Sequence, residues 1–197
     1  MMGTVMHLLA RVQGLLLDPQ REWAKIDRES GEPAHLFLTY VAILALIPAL
    51  AGFIGASIIG VTVSVGTFRV PVLTGLLNAV IAYLFSFVLA YVVALVIDAL
   101  APRFATARHF PSALKLSVYS FTPAWLVGIF LLLPGLSFLT ILGLYGFYLL
   151  WTGLPIVMRT PPQRALTYTA FVTIAALVAT FLLALIENVI EALPRSG

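Results

Sequence analysis

The chain contains no cysteine, which removes disulfides, thiolate metal sites and cysteine nucleophiles together. It is also short of charge. Only 10% of its 197 residues are Asp, Glu, Lys or Arg, whereas a soluble domain carries about a quarter. The shortage is concentrated: residues 36–68, 70–97, 116–158 and 165–186 hold no charged side chain at all. With 61% hydrophobic residues and a mean hydropathy of +1.07, these runs exclude a water-soluble fold. A helix needs about 20 apolar residues to cross roughly 30 Å of hydrocarbon. Three of the runs are long enough for one crossing, and the 43 residues of 116–158 are long enough for two.

Chemical signatures are missing as well. His7, His35 and His109 fall in separate polar segments with no helical ligand spacing, and there is no His-Glu-x-x-His, Gly-x-Ser-x-Gly or glycine-rich phosphate loop. None of the uncharged runs supplies the mid-membrane carboxylate that proton- or sodium-coupled transport calls for. The reading is therefore not an enzyme, with no cofactor and no metal. A pI near 9.5 would suggest nucleic acid in a soluble protein, but here topology explains it better.

What is present predicts an all-α, polytopic bundle of five transmembrane helices, preceded by an amphipathic interfacial helix on the cytoplasmic side. Residues 1–32 form the juxtamembrane part and 33–197 the membrane domain, with spans at about 36–60, 72–100, 112–133, 136–158 and 165–193. In residues 4–17, Val5, Leu8, Leu9, Val12, Leu15 and Leu16 share one helical face and His7, Arg11, Gly14 and Asp18 the other. Arg11 interrupts the apolar segment and no small-x-small site follows, so this reads as a retained helix along the headgroups, not a signal peptide. Asp18-Pro19 has the form of an N-cap with proline at the first helical position. A short helix with a Trp23/Ile26 apolar edge follows. The Val61, Val63, Val65 alternation suggests an extended hairpin, and Pro134-Gly135 divides the longest run by a turn.

Positive charge is retained on the cytoplasmic side. A cytoplasmic amino-terminus leaves Arg11, Arg21, Lys25, Arg28, Arg103, Arg108, Lys115, Arg159 and Arg164 inside and only Arg69 and Arg195 outside. The carboxy-terminus is then on the opposite side of the membrane.

Several stretches are familiar in order and spacing: Asp18-Pro-Gln-Arg-Glu-Trp23-Ala-Lys-Ile26, Ala99-Leu-Ala-Pro-Arg-Phe104, Tyr119-Ser-Phe-Thr-Pro-Ala-Trp125 and Leu144-Tyr-Gly-Phe-Tyr-Leu-Leu-Trp151-Thr-Gly-Leu-Pro155. Together they resemble the Yip family of Ypt/Rab-interacting membrane proteins, and more closely its bacterial branch of small inner-membrane proteins. The resemblance implies five spans with a cytosolic amino-terminus. Eukaryotic members take part in ER–Golgi traffic with links to Rab GTPases; a bacterial host offers no Rab partner, so that role does not carry over.

The remaining candidates are polar, small or aromatic. Asp98, near the cytoplasmic end of the second span, is either an interface carboxylate paired with Arg103 or Arg108 or a functional charge. Glu187 and Glu191 share a face of the last span, marking its interface or, with Asn188, a cation mouth. Asn78 is an intramembrane amide in need of a partner across a helix contact. Gly52, Ala56 and Gly60 recur every four residues as a close-approach stripe, within the bundle or between protomers. Pro48, Pro123 and Pro155 favour kinks. Tyr119, Phe121 and Trp125 with Tyr145, Phe147, Tyr148 and Trp151 suggest a shared packing or lipid-contact surface between the third and fourth spans. The function expected is a non-enzymatic protein of the Yip type that binds membrane lipids, another membrane protein or a second copy of itself, and organises or shapes the membrane. The alternative is a small transporter, channel or lipid scramblase without ion coupling. Orientation is directly testable: single cysteines at Thr67 and Thr106 are expected to react with an impermeant thiol reagent from opposite sides, and labelling of both from one side removes a span or the orientation.

Overall fold

The computed structural model describes residues 2–29, 33–63 and 66–192. Five helices are long and apolar enough to cross a membrane: Thr39–Ile59, Val72–Phe104, Phe110–Leu132, Pro134–Val157 and Pro162–Ile186. Two shorter helices precede them, α1 (Met2–Leu17) and α2 (Pro19–Arg28). The Asp18 side chain accepts the Arg21 amide at 3.3 Å and Pro19 opens α2, so the cap forms where the dipeptide predicts it.

Short connections make the spans alternate in direction. At one end, Gly60 closes the first span with φ +85°, a conformation that glycine adopts without steric cost. Strands β1 (Val61–Val63) and β2 (Gly66–Phe68) then pair antiparallel, with Thr62 opposite Thr67. Leu133 alone joins the third and fourth spans at this same β end. The opposite, basic end carries Arg103, Arg108, Lys115, Arg159 and Arg164 in and beside its two loops. There Thr106 is buried and donates to Thr160 at 3.0 Å, so the exposed neighbour Ala107 is the accessible position for labelling this end.

The surface is that of a lipid-solvated protein. Only 11% of the apolar window of the fifth span is buried, and Leu166, Phe171, Ile174, Leu177 and Phe181 all project outward. The core is unevenly placed. Val41, Ala94, Ile97, Leu114, Leu116, Leu149, Leu154 and Tyr168 are among its fully or almost fully buried members and lie in the basic half, joined there by Leu15, Trp23 and Ile26 from α1 and α2. In the β half, the segment Pro134–Leu144 buries no side chain and is wound as a tight 3₁₀ helix, as is Gly128–Leu132.

The third span breaks at Phe121, between Phe110–Ser120 and Thr122–Val127. Pro123 has no N–H for the Tyr119 carbonyl four residues back. The Thr122 hydroxyl takes that carbonyl instead, at 2.7 Å. Its proton thus committed, Thr122 accepts the Tyr40 hydroxyl of the first span at 2.8 Å. A kink and a cross-helix hydrogen bond thus arise from one Thr-Pro pair.

Small residues fit where backbones meet, though not along the expected stripe. A Cβ on Gly52 would stand 3.9 Å from Leu131, in ordinary contact, whereas one on Gly55 would lie 2.0 Å from the Leu131 carbonyl oxygen. Gly60 serves as the positive-φ terminator, and Ala56 is half-buried. The close approach therefore falls on Gly55. Gly55→Ala is expected to lower stability by about 1–3 kcal/mol through overpacking, with Gly52→Ala near neutral, as read from thermal unfolding in detergent.

Candidate functional site

The most unusual chemistry in the fold lies between α1 and α2. On α1, Leu8, Val12 and Leu15 face inward as expected, while Leu9 and Leu16 are exposed. Arg11, assigned by pattern to the polar face, is buried with only 4% of its side chain exposed. The reason is a set of acids supplied by the next helix. Arg11 Nη1 meets Glu22 Oε1 at 2.5 Å, its Nη2 meets Glu29, and Lys25 Nζ meets the other Glu22 oxygen at 2.7 Å. Gly14 makes room for this: a Cβ there would stand 2.4 Å from the Glu22 carboxylate. The guanidinium also lies 5.5 Å from the centre of the Tyr119 ring, within cation–π range. Burial works against the Arg11 charge, but Tyr119, Glu29 and Glu22 outweigh it and hold its pKa above the ordinary arginine value. The cation is permanent.

Four further contacts dock the helical hairpin on the bundle. The Trp23 indole presses on Gly153 of the fourth span, where a Cβ would come within 2.7 Å of the ring, and meets Tyr119 edge-on at 6.3 Å. Lys115 donates to the Glu29 carbonyl and, at 3.2 Å, to the Ile26 carbonyl, which also accepts the Glu29 amide, so the end of α2 is tied to the third span. Asp27 pairs with Arg159 at 2.7 Å. At the other end of α2, the Tyr145 hydroxyl donates to the Leu16 carbonyl at 3.1 Å. Tyr145 stands midway along the span Pro134–Val157. The α1–α2 turn therefore rests against the middle of the fourth helix, and α1 is docked on the bundle through its Leu8–Val12–Leu15 face.

The other candidates scatter. Tyr119 packs with Tyr40 at 4.7 Å and with Trp23, not with the fourth-span tyrosines. Pro123 and Trp125 are buried, and Trp125 lies 5.7 Å from Phe121. Tyr145, Tyr148 and Trp151 form a separate ladder with spacings of 5.3 and 6.0 Å, its last two rings exposed. Of the aromatic surface expected between the third and fourth spans, Phe121 and Phe147 share a cavity wall, while Tyr119 turns to the first span and Tyr145, Tyr148 and Trp151 form their own ladder. Asn78 lies two turns from the β end, its side-chain oxygen buried without a donor. Asp98 lies at the basic end of the same helix, 20 residues on, which is about 30 Å; the two cannot share a site. Among the described residues Asp98 pairs with neither Arg103 nor Arg108: Arg108 donates instead to the Ala99 carbonyl at 3.5 Å. The side chains of Glu187, Asn188 and Glu191 lie outside the described residues. No three of the described His, Asp and Glu come together as metal ligands; His109 meets Ser112 at 2.9 Å and the Thr39 hydroxyl donates to the His35 carbonyl at 2.6 Å. A cavity of about 250 Å³ between the second, third, fourth and fifth spans is lined mainly by Val93, Phe121, Phe147 and Val172, with the hydroxyls of Ser120 and Thr140.

The family profile described as Yip1 domain matches residues 14–184. The chain is 29% identical over 183 residues to the inner membrane protein YohC of Escherichia coli K12, covering 90% of this chain and 94% of that protein. The YohC protein of Escherichia coli O6:H1 matches to the same extent. No solved structure matches.

Removing one partner of a buried ion pair strands the other, at a cost of about 3–5 kcal/mol. Arg11→Met is therefore expected to raise hydrogen exchange throughout residues 2–29 while the core around Ile97 stays protected, and Arg11→Met with Glu22→Leu should restore much of that protection.

Proposed function

This chain belongs to the Yip1 domain family, and on that premise we propose that it is a non-enzymatic protein of the bacterial inner membrane that binds lipid or partner proteins and shapes the bilayer around it. One observation carries the reading: among the described residues, α1 and α2 pack on the basic half of the five spans, so that half holds seven helices and the other five. The extra two form a wedge: the outward side of α1 exposes Met6, Leu9, Leu16 and Leu17 beside His7 and Gln13, and that of α2 is polar, with Gln20, Arg21, Lys25 and Arg28 exposed. Their buried face is held by ion pairs, so the apolar side is presented in a fixed orientation. The distribution of nine basic residues against two supports a cytoplasmic amino-terminus, which puts the wedge in the cytoplasmic leaflet and broadens the protein there. Insertion of apolar surface at the headgroup boundary of one leaflet couples binding to curvature.

A non-catalytic role is supported by the state of the ionisable groups that the fold gathers: Arg11, Glu22, Lys25 and Glu29 are spent on one another. The full-length protein reconstituted into vesicles is expected to reduce vesicle diameter or bind preferentially to small vesicles. Leu9→Glu with Leu16→Glu should abolish that effect without unfolding, because both side chains are exposed; Leu8 and Val12 are core and would report folding instead. An unchanged effect in the double variant sinks the wedge. Fluorescent-lipid exchange between leaflets at the rate of protein-free vesicles is expected alongside, and faster exchange would favour the scramblase reading.

A further inference from the structure

A second feature of the basic half has chemistry that the wedge does not use. A groove of about 460 Å³ runs between the start of the first span, the second span and the start of the third, lined by Phe37, Phe87, Val88, Tyr91, Phe110 and Leu114 among others. Its volume lies within the range of about 300–1,000 Å³ typical of ligand sites. The walls are stiffened by ring contacts, Phe37 against Phe87 at 6.0 Å and Tyr91 against Phe110 at 5.4 Å. Along the second span Val88, Tyr91, Leu95 and Asp98 recur every three or four residues, the spacing of one helical face. The apolar track therefore ends at a carboxylate.

That carboxylate is incomplete. Asp98 Oδ1 is buried and has no hydrogen-bond partner, while the residue as a whole is half-exposed. A stranded carboxylate oxygen is costly, and neither following arginine relieves it. Arg108 is nearby, its Nη2 at 3.5 Å from the carbonyl of Ala99, the residue next to Asp98, and its exposed guanidinium is in none of the ion pairs of the described residues. The groove itself is lined by apolar side chains; two helical turns beyond Tyr91 on the same face, outside that lining, stands an acceptor short of a donor, with the unpaired Arg108 at the adjoining Ala99 carbonyl.

We propose that this groove binds a phospholipid with a phosphoethanolamine headgroup: the ammonium donates to Asp98, the phosphate accepts from Arg108, and an acyl chain lies against Phe87, Val88 and Tyr91. This rests on the lipid-binding reading above and names its lipid class and site. The headgroup is selected by hydrogen-bonding capacity. A primary ammonium has N–H donors for Asp98. The quaternary ammonium of choline has none, and the uncharged glycerol headgroup of phosphatidylglycerol brings only weaker hydroxyl donors and no cation to offset Asp98. Guanidinium-to-phosphate pairing is strong for all three headgroups, so discrimination falls to Asp98.

The test is competitive retention by the full-length protein. Purified protein is incubated with equimolar phosphatidylethanolamine, phosphatidylcholine and phosphatidylglycerol of identical chains, and retained lipid is counted by native mass spectrometry. A preference of about tenfold for phosphatidylethanolamine is expected, the worth of one charge-assisted hydrogen bond. Asp98→Asn should erase the preference and Asp98→Glu keep it. Val88→Trp, which fills the groove, should lower retention of all three alike. Equal retention of the three lipids by the unaltered protein, a measurement that needs no variant, overturns the headgroup site and leaves lipid binding standing. Retention no greater than that of an unrelated five-span protein overturns both. A dimer that Val88→Trp converts to monomer would make the groove a contact between copies and would also overturn the proposal.

Discussion

The pairing of Arg11 with Glu22 is the interaction on which the basic half of the molecule depends. Without a carboxylate on α2, a guanidinium at this position would have to face water, and α1 could turn only its leucines toward the bundle. With Glu22 and Glu29 present, the whole Leu8–Arg11–Val12–Leu15 face becomes a packing surface. Leu15, Trp23 and Ile26 then complete a core that the five spans do not close by themselves. The pair specifies geometry more than it supplies stability, since the cost of desolvating both charges offsets much of their attraction.

Backbone satisfaction imposes the second constraint. Hydrocarbon offers no partner for a carbonyl freed by proline, so each break in a span must be repaired from within. In Tyr119-Ser-Phe-Thr-Pro123 the repair is local, through the Thr122 hydroxyl, and it is turned outward to Tyr40. A family motif of hydrophobic and small polar residues thereby acquires a physical meaning: it bends the third span and ties it to the first. Tyr119 is brought to the same spot, where its ring faces Arg11.

What the sequence made legible was whatever depends on solvent. Runs without charge had to become spans, Asp18-Pro19 had to start a helix, and Gly60 with the valine alternation had to end one and begin a β-hairpin. What it concealed depends on partners distant in sequence. The rule that charge faces water places Arg11 outward; it holds for an isolated amphipathic helix and fails when the next helix carries the matching acids. The glycine stripe failed for a different reason. Residues Ile54–Ile59 form a wide π-type turn, so positions four apart no longer share one face, and Gly55 takes the contact. The aromatic residues of the third and fourth spans were grouped by motif, but the bend at Phe121 sends Tyr119 toward the first span and leaves Tyr145, Tyr148 and Trp151 as a ladder of their own. Asp98 was the most readable polar site in kind and the least in detail: its position followed from the end of an uncharged run, while the absence of a salt bridge followed from where Arg108 finds a carbonyl.

The 3₁₀ winding of Pro134–Leu144 has a consequence for the bilayer itself. Eleven residues in this geometry rise about 22 Å, where an α-helix of the same length would rise about 16 Å. The fourth span is thus stretched on its β-side half, where none of its side chains is fully buried. Eleven residues thereby gain the reach of about fifteen α-helical ones, so this segment meets the hydrocarbon thickness of its leaflet with a shorter stretch of sequence.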